Sequence, residues 1–241
     1  MTNIIRKVAT KFNNSLSGND LKIIAVVAMT LDHIAEGFLP EQFWGYQVLR
    51  FIGRITGPTM MFLLTEGYRH THDVQKYLAR LAVFSLISWI PFALFEDGSW
   101  PALDFSVLST LFLGLLSIHV WERSEWSAQV KAAVIYLLML LAIPCDWSVF
   151  GIILIMIFHL FRDDRKKLIA GYYLTCAVVV GIQISINGWN GFFQFGLLFV
   201  PSLFLWLYNG ERGSTTPISK WFFYAYYPIH LIILSHMQFI L

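Results

Sequence analysis

Three ionisable side chains, Asp32, His33 and Glu36, interrupt an apolar helical stretch, LKIIAVVAMTLDHIAEGFLP at residues 21–40. A carboxylate at the centre of a bilayer-spanning helix costs roughly 2.5–3.5 kcal/mol. Groups placed there despite that cost mark catalysis, ion movement or helix pairing. A histidine at such a site suits proton transfer, because its unperturbed pKa of about 6.5 lies close to neutral pH.

A second histidine lies at a similar depth near the other end of the chain. His33 is eleven residues beyond Lys22, and His230 is ten residues beyond Lys220. A helical rise of about 1.5 Å per residue puts both imidazoles roughly 15–16 Å from the basic end of their helices. We therefore expect both rings near the bilayer midplane.

The neighbouring charges have spacings that allow them to pair between helices. Arg50 and Arg54 share one face of the next apolar segment, because they are four residues apart. Asp32 and His33 point about 100° apart, so we expect Asp32 to face the arginines instead. Glu36, three residues after His33, can pair with that imidazole.

Each of these side chains also has a purely structural interpretation. A buried histidine in an apolar helix is often a packed, hydrogen-bonded residue. The arginines can extend to the membrane surface or hold helices together through salt bridges, which is our first interpretation of Arg50. Taken together, however, the groups predict a polar pocket inside a helix bundle.

The elements that must position this pocket are membrane spans. The chain has 241 residues, of which 57% are hydrophobic and only 13% are charged, whereas soluble domains carry about 25% charged residues. Apolar runs recur along its whole length, as in a multi-pass membrane protein. Nine candidate spans lie near residues 21–39, 48–67, 77–95, 103–121, 128–144, 146–161, 167–187, 191–208 and 220–241.

The distribution of basic residues predicts the orientation. With the N-terminus in the cytoplasm, 15 of the 17 Lys and Arg residues fall in inside segments, and the other two are Arg50 and Arg54 within the second span. We predict an all-α, polytopic integral membrane helix bundle of the inner (cytoplasmic) membrane, with about nine (eight to ten) transmembrane helices and a cytoplasmic N-terminus. Residues 1–18 form a basic cytoplasmic tail, and residues 19–241 form a single transmembrane domain.

Other chemistry-bearing patterns are weak or missing. The run RHTHD, Arg69 to Asp73, has the His-x-His spacing of a metal ligand pair, but no third ligand is spaced to join it. We interpret this run as a solvated loop and expect no metal. The sequence contains no Walker loop, GxSxG elbow, HExxH or Rossmann glycine pattern, and no nucleic-acid partner is expected.

A series of motifs, in order over most of the chain, resembles the TraX family. The block with the pattern GRI…P…EGY…Y..RL is specific. The motifs are DHI at 32–34, LRFIGRITGPTMMFLLTEGYRHTHDVQKYLARL at 49–81, ISWIPF at 87–92, STLFLG at 109–114, PCDWSVFG at 144–151, LYNGERG at 207–213 and KWFFYAYYPIHLIIL at 220–234.

This resemblance implies a membrane-embedded acetyltransferase. The name-giving member acetylates the N-terminal amine of F-type pilin. The family also resembles the wider group of transmembrane acyltransferases, which move acyl groups from cytoplasmic acetyl-CoA to acceptors beyond the membrane. That group has a histidine in its first core helix, arginines near the CoA entrance and a late helix with Tyr and His. Here the matching residues are His33, Arg69 with Arg80, and Tyr227 with His230.

The hypothesis from residues and resemblance is a tunnel between two compartments. Acetyl-CoA binds at the basic inner mouth, its thioester reaches the histidines, and an amine or hydroxyl acceptor (a peptide, glycan or lipid) arrives from outside. Arg54 or the second imidazole stabilises the oxyanion. The predicted catalytic residues are His33, His230, Asp32, Glu36 and Arg54. The predicted CoA-binding residues are Arg69, Tyr68, Lys76, Tyr77, Arg80 and Tyr227.

Two alternatives belong to other classes of protein. A secondary transporter or channel would use Asp32, His33, Glu36 and Arg54 as a proton relay. Broken helices in matching halves would favour that interpretation, and the sequence shows no such symmetry. A non-catalytic membrane scaffold or assembly factor is the third interpretation. The sequence leaves the acceptor and the oligomeric state open.

Overall fold

The computed structural model of this chain describes residues 15–99, 103–123, 125–214 and 217–240, so the first 14 residues of the predicted basic tail lie outside the described residues. The named elements of the described part are all helical. Nine α-helices have ten residues or more: α1 (Gly18–Phe38), α2 (Trp44–Gly53), α3 (Thr56–His70), α4 (Val74–Asp97), α5 (Val107–Trp121), α6 (Ala128–Leu141), α7 (Ser148–Leu160), α8 (Arg165–Asn187) and α9 (Pro217–Ile240).

Between α8 and α9 the chain follows an irregular path that we call the irregular span, Gly188 to Leu207. It consists of a 3-10 helix, Gly188–Phe199, one α-helical turn, Val200–Ser202, and a π-helical turn, Leu203–Leu207. Its aromatic side chains reach the centre of the bundle, as described below.

Several helices have the length and composition of membrane spans. Among the described residues, α4, α8 and the stretch Asn190–Leu207 are long and apolar enough to cross a membrane. Helices α5, α6 and α7 are apolar but have only 13–15 residues, or about 20–23 Å, against a hydrocarbon core of about 30 Å. Apolar side chains such as Leu174 and Ile186 are exposed on the outside of the bundle, as lipid-facing side chains are.

The second predicted span, residues 48–67, is not one continuous helix, contrary to our expectation. Helix α2 ends at Gly53 and α3 begins at Thr56. The physical reason is Pro58, which has no N–H to donate to the carbonyl of Arg54 and whose ring crowds that carbonyl. The Arg54 N–H still donates to the Arg50 carbonyl at 3.1 Å, so the two arginines keep their helical spacing.

Backbone hydrogen bonds between loops define the two ends of the bundle, which we name by the predicted orientation. At the outer end, the Phe105 N–H donates to the Pro144 carbonyl at 2.9 Å. At the inner end, the Leu16 N–H donates to the Leu207 carbonyl and the Gly18 N–H to the Glu211 carbonyl, both at 2.8 Å. The inner end therefore joins the start of α1 to the loop before α9.

Helix α1 is the element that carries the site. It begins with a capping box in which the N–H of Asp20 donates to Ser17 and the N–H of Ser17 donates to Asp20. It packs against α2, α3 and α9, and its buried face includes Asp32 and His33. The first and last helices of the chain are thus neighbours.

Candidate active site

His33 and His230 form a hydrogen-bonded pair. Nδ1 of His33 lies 2.8 Å from Nε2 of His230, and both side chains are buried. Nδ1 of His230 lies 3.0 Å from the Tyr226 carbonyl, which can only accept, so that nitrogen carries a hydrogen. In the neutral pair, His33 Nδ1 then donates to His230 Nε2. This leaves Nε2 of His33 with a free lone pair, as a general base requires.

Aromatic and hydroxyl contacts hold the histidine pair in place. The ring of Tyr226 stacks on His230 with centroids 5.1 Å apart, and the edge of Phe95 contacts His33 at 5.3 Å. The Tyr226 hydroxyl forms a 2.7 Å hydrogen bond with the hydroxyl of Thr30 on α1. These contacts join α9 to α1 and fix the orientation of both imidazoles.

The buried charges form a compact ion-pair cluster. Arg54 Nη2 lies 2.6 Å and Arg50 Nη1 3.2 Å from Asp32 Oδ2, and Arg50 Nη2 lies 2.6 Å from Glu36 Oε1. The expectation that Asp32 faces the arginines is confirmed. The expectation that Glu36 pairs with His33 is wrong, because α2 packs antiparallel along α1. Two carboxylates four residues apart thereby meet two arginines four residues apart.

Close backbone approach makes this cluster possible. A Cβ atom on Gly53 would lie 2.2 Å from Asp32 Oδ1, so only glycine lets α2 come this near. The ring of Phe193, from the irregular span, lies 5.0 Å from Arg50 Cζ and 5.3 Å from Arg54 Cζ. Sequence reasoning missed Phe193, since the run WNGFFQF resembles any aromatic lipid-facing stretch.

A cavity of about 380 Å³ opens from the cluster toward the outer end. His33 and Tyr227 line it together with an excess of acidic residues. The arginines pair with two of the carboxylates, and a hydrogen bond to Asp97 raises the pKa of the loop residue Asp104. Six acidic residues and two arginines line the cavity: Asp32, Glu36, Glu96, Asp97, Asp104 and Asp146, with Arg50 and Arg54.

A second cavity, of about 400 Å³, lies at the inner end and has the opposite character. Lys22, Lys76, Arg80 and Arg212 all line it. Lys76 pairs with Asp73 at 3.0 Å, whereas Lys22, Arg80 and Arg212 have no ion-pair partner within the described part of the chain. Arg80 Nε is buried without a hydrogen bond. Unpaired cations around one cavity are suited to an anionic ligand.

Only half of the predicted CoA-binding residues line this inner cavity. Lys76, Tyr77 and Arg80 do so, because Asp73 caps α4 by accepting from the Lys76 N–H at 2.9 Å. That hydrogen bond lowers the pKa of Asp73. The loop between α3 and α4 therefore presents the start of α4 to the cavity.

The other three predicted CoA-binding residues lie elsewhere. Arg69 does not line the cavity, although it pairs at 3.4 Å with Glu66, which does. Tyr68 packs edge-on against His159, with ring centroids 5.8 Å apart. Tyr227 lines the outer cavity beside His33, not the inner one. Tyr68 and Arg69 are absent from the lining of the inner cavity, although their sequence neighbours Gly67 and His70 contribute to it.

Sequence reasoning missed Lys22 and Arg212 as possible ligands, because both were interpreted only as topology determinants. The loop after the irregular span turns at Gly210 and Gly213, whose φ angles are 81° and 78°. The Asn19 N–H donates to the Arg212 carbonyl at 3.1 Å, which holds this loop against the start of α1. The glycine pair in LYNGERG was the available signal for a tight turn.

Sequence comparison gives a family for this architecture. Residues 17–238 match the family described as TraX protein. The chain belongs to the TraX family. It is 33% identical to a protein of Dichelobacter nodosus named "Probable fimbrial assembly protein FimC, serogroup H1". The alignment spans 244 residues and covers 92% of this chain and 96% of the relative. No solved structure matches the chain.

The two cavities of this TraX family member approach each other along α3 and α5. Val107 lines the outer cavity and the next residue, Leu108, lines the inner one. Gly57 lines the outer cavity, and Met60, one turn further along α3, lines the inner cavity. On these two helices, residues that line the two cavities are therefore no more than about one helical turn, or roughly 5 Å, apart along the axis.

The charge pattern at the centre disfavours a metal ion. Ligand atoms of Asp32, His33 and Glu36 lie within 4.8 Å of one another, which resembles a metal site. Both carboxylates are already bound to guanidinium groups, and a divalent cation would be repelled by Arg50 and Arg54. The arginines therefore occupy the positions that a metal would need.

Proposed function

We propose that this member of the TraX family is an acetyltransferase embedded in the cytoplasmic membrane, which moves an acetyl group from acetyl-CoA to an amine on the outer side. One observation carries the proposal: a basic inner cavity and an acidic outer cavity are lined by residues about one helical turn apart on α3, and His33, hydrogen-bonded to His230, lines the outer cavity. A donor with phosphates and an acceptor with a positive charge would each be attracted to a different side.

The inner cavity supports acetyl-CoA as the donor. CoA carries a diphosphate and a ribose phosphate, and Lys22, Arg80 and Arg212 supply unpaired cations for such groups. Tyr77 and Tyr224 line the same cavity and offer aromatic surface for an adenine ring. Acetyl-CoA is a cytoplasmic metabolite, and this end of the bundle is the one that the basic residues predict to be cytoplasmic.

The outer cavity supports an amine rather than a hydroxyl as the acceptor. A primary amine arrives as an ammonium group, which the acidic lining attracts, whereas a neutral hydroxyl gains nothing from it. The Dichelobacter relative is named as a fimbrial assembly protein. We therefore propose an exported peptide, such as a pilin subunit with a free N-terminus, as the acceptor class.

The chemistry assigns one role to each central group. His33 Nε2 takes one proton from the ammonium, the amine nitrogen bonds to the thioester carbon, the C–S bond breaks, and the CoA thiolate takes up the second proton that the nitrogen loses. His230 holds His33 in the required tautomer. Arg54 is committed to Asp32 at 2.6 Å, so in this proposal Arg54, Asp32 and Glu36 position α1 against α2.

The decisive experiment uses the full chain reconstituted in lipid vesicles that contain radiolabelled acetyl-CoA, with a peptide amine outside. Labelled peptide is expected. His33→Ala should lower the transfer rate by about 10²–10⁴-fold, because a general base is lost. His236→Ala, an exposed histidine on the same helix as His230, is the matched control and should leave the rate unchanged. Full activity of His33→Ala would refute the assignment.

The same vesicles test the transporter interpretation. Proton or solute flux without acetyl transfer would replace our proposal by a relay through the buried charges. In the structure, Asp32 and Glu36 are both held by arginines, which opposes their use as free proton carriers. Neither flux nor transfer would favour a scaffold.

A further inference from the structure

Two buried hydroxyl groups near the histidine pair form no hydrogen bond of good geometry. Tyr227 and Ser106 are 4% and 0% exposed, and within the described part of the chain Tyr227 Oη and Ser106 Oγ have only each other and the Val107 amide nearby, without a well-aligned hydrogen bond. A buried polar group left unpaired costs about 1–3 kcal/mol, so proteins seldom keep one without a use. A ligand atom in the outer cavity, which Tyr227 lines, would give the Tyr227 hydroxyl a hydrogen-bond partner.

These hydroxyls lie at the N-terminus of α5. Ser106 is the N-cap residue of this 15-residue helix, and its side chain makes no capping hydrogen bond. The Tyr227 hydroxyl lies beside the Ser106 side chain and the Val107 amide. The first amides of a helix have no intrahelical acceptor, and the helix dipole favours negative charge at this end. Two hydroxyls and a helix N-terminus are therefore close together.

The position of this group of donors matches the path of an acetyl group. Tyr227 lines the outer cavity, with its ring centroid 6.3 Å from that of His33 and 5.4 Å from that of His230. Val107 and Leu108, the first residues of α5, line the outer and inner cavities respectively. The first turn of α5 therefore borders both cavities, and Tyr227 lies beside His33 in the outer one.

We propose that Tyr227, Ser106 and the first amides of α5 form the oxyanion site of this enzyme. The inference rests on the proposed acetyltransferase function. When the amine nitrogen bonds to the thioester carbon, the C=O π electrons move onto the carbonyl oxygen, which becomes an oxyanion and accepts hydrogen bonds from these donors. When the C–S bond breaks, its electrons leave with the thiolate, and the carbonyl double bond of the new amide forms again. Removing one oxyanion donor typically lowers kcat by about 10²–10³-fold.

This assignment differs from the sequence-based expectation that Arg54 or the second imidazole stabilises the oxyanion. Arg54 Nη2 lies 2.6 Å from Asp32, and the hydrogen bond to His33 already uses Nε2 of His230. Both groups are therefore committed to other partners. By contrast, Tyr227 Oη has no well-formed hydrogen bond in the described part of the chain and lines the outer cavity, and Ser106 precedes Val107, which lines the same cavity.

The first test compares hydroxyl deletions at matched positions. Tyr227→Phe and Ser106→Ala should each lower kcat, by about 10²-fold for Tyr227→Phe, with little change in the KM for acetyl-CoA. Tyr136→Phe, at an exposed tyrosine of α6, and Ser117→Ala, at a buried serine of α5, remove the same hydroxyl groups elsewhere and should leave kcat unchanged. Wild-type kcat in both Tyr227→Phe and Ser106→Ala would overturn the inference.

A second measurement separates a catalytic role from a structural one. Isotope-edited infrared spectroscopy of acetyl-CoA carrying a ¹³C-labelled carbonyl reports the polarisation of the bound thioester. The carbonyl stretch should fall in frequency on binding to the wild-type protein and return toward the free value in Tyr227→Phe. An unshifted carbonyl in the wild-type protein would overturn this inference alone. Failure of the wild-type protein to bind acetyl-CoA would overturn the proposed function and, with it, this inference.

Discussion

Replacing Asp32 by Asn tests whether the central charges stabilise the bundle as a balanced set. Asp32 Oδ2 is bound by Arg54 at 2.6 Å and by Arg50 at 3.2 Å, and Arg50 also binds Glu36. In Asp32→Asn, Arg50 keeps Glu36, while Arg54 loses its ion-pair partner. Leaving one buried charge uncompensated costs about 3 kcal/mol, the lower end of the usual range, because the Arg54 side chain is 15% exposed.

That magnitude gives a measurable change in thermal stability. For a chain of this size, 1 kcal/mol corresponds to about 2–4 °C, so the Tm of Asp32→Asn should fall by about 6–12 °C. The double variant Asp32→Asn/Arg54→Gln pairs one cation, Arg50, with one anion, Glu36. It should therefore recover at least about half of the loss, which is a coupling between contacting residues. Tryptophan fluorescence of detergent-purified protein during heating measures each Tm.

The control and the refuting result follow from the same geometry. Arg162→Gln breaks an exposed pair with Asp163, at 3.4 Å, and should change the stability by less than about 1 kcal/mol. A double variant less stable than Asp32→Asn alone would show that charge balance does not govern this cluster. The ion pairs would then have to be interpreted as independent contacts.

Two further predictions concern geometry and ligand binding. Gly53→Ala would place Cβ 2.2 Å from Asp32 Oδ1, so the carboxylate must move by about 1 Å and the acetyl transfer rate should fall on the order of 10²-fold. In the control Gly181→Ala, the added Cβ meets nothing within 4 Å, and acetyl transfer should proceed at the wild-type rate. Equal rates in the two variants would contradict the argument. Lys22→Gln should weaken CoA binding about tenfold in calorimetry, because one charge-assisted hydrogen bond to a phosphate is lost. Lys167→Gln, at an exposed side chain, should leave the Kd for CoA unchanged. An unchanged Kd in Lys22→Gln would place the phosphates elsewhere.

The spacing of residues along the chain predicted much of the central ion-pair cluster. The four-residue spacing of Asp32 and Glu36 matches that of Arg50 and Arg54, and an antiparallel pair of helices brings such sets together. The same reasoning failed for Glu36 and His33, because a residue three positions away on one helix competes with an arginine from the next helix. Glu36 forms its charge-assisted pair with Arg50 and not with His33.

The helical rise predicted that the two histidines lie at similar heights, but it could not show which side chains they contact. The sequence alone placed His33 and His230 at one depth, and only packing of α9 against α1 brought rings 197 residues apart to 2.8 Å. The same holds for Ser106 with Tyr227 and for Phe193 against the arginines. A helix's period fixes which side chains share its face, whereas the neighbour of that face depends on how all helices fill the bundle together. The sequence therefore determined the helical class, the similar heights of the two histidines along their helices and the charge spacing, and the tertiary structure decided which groups meet.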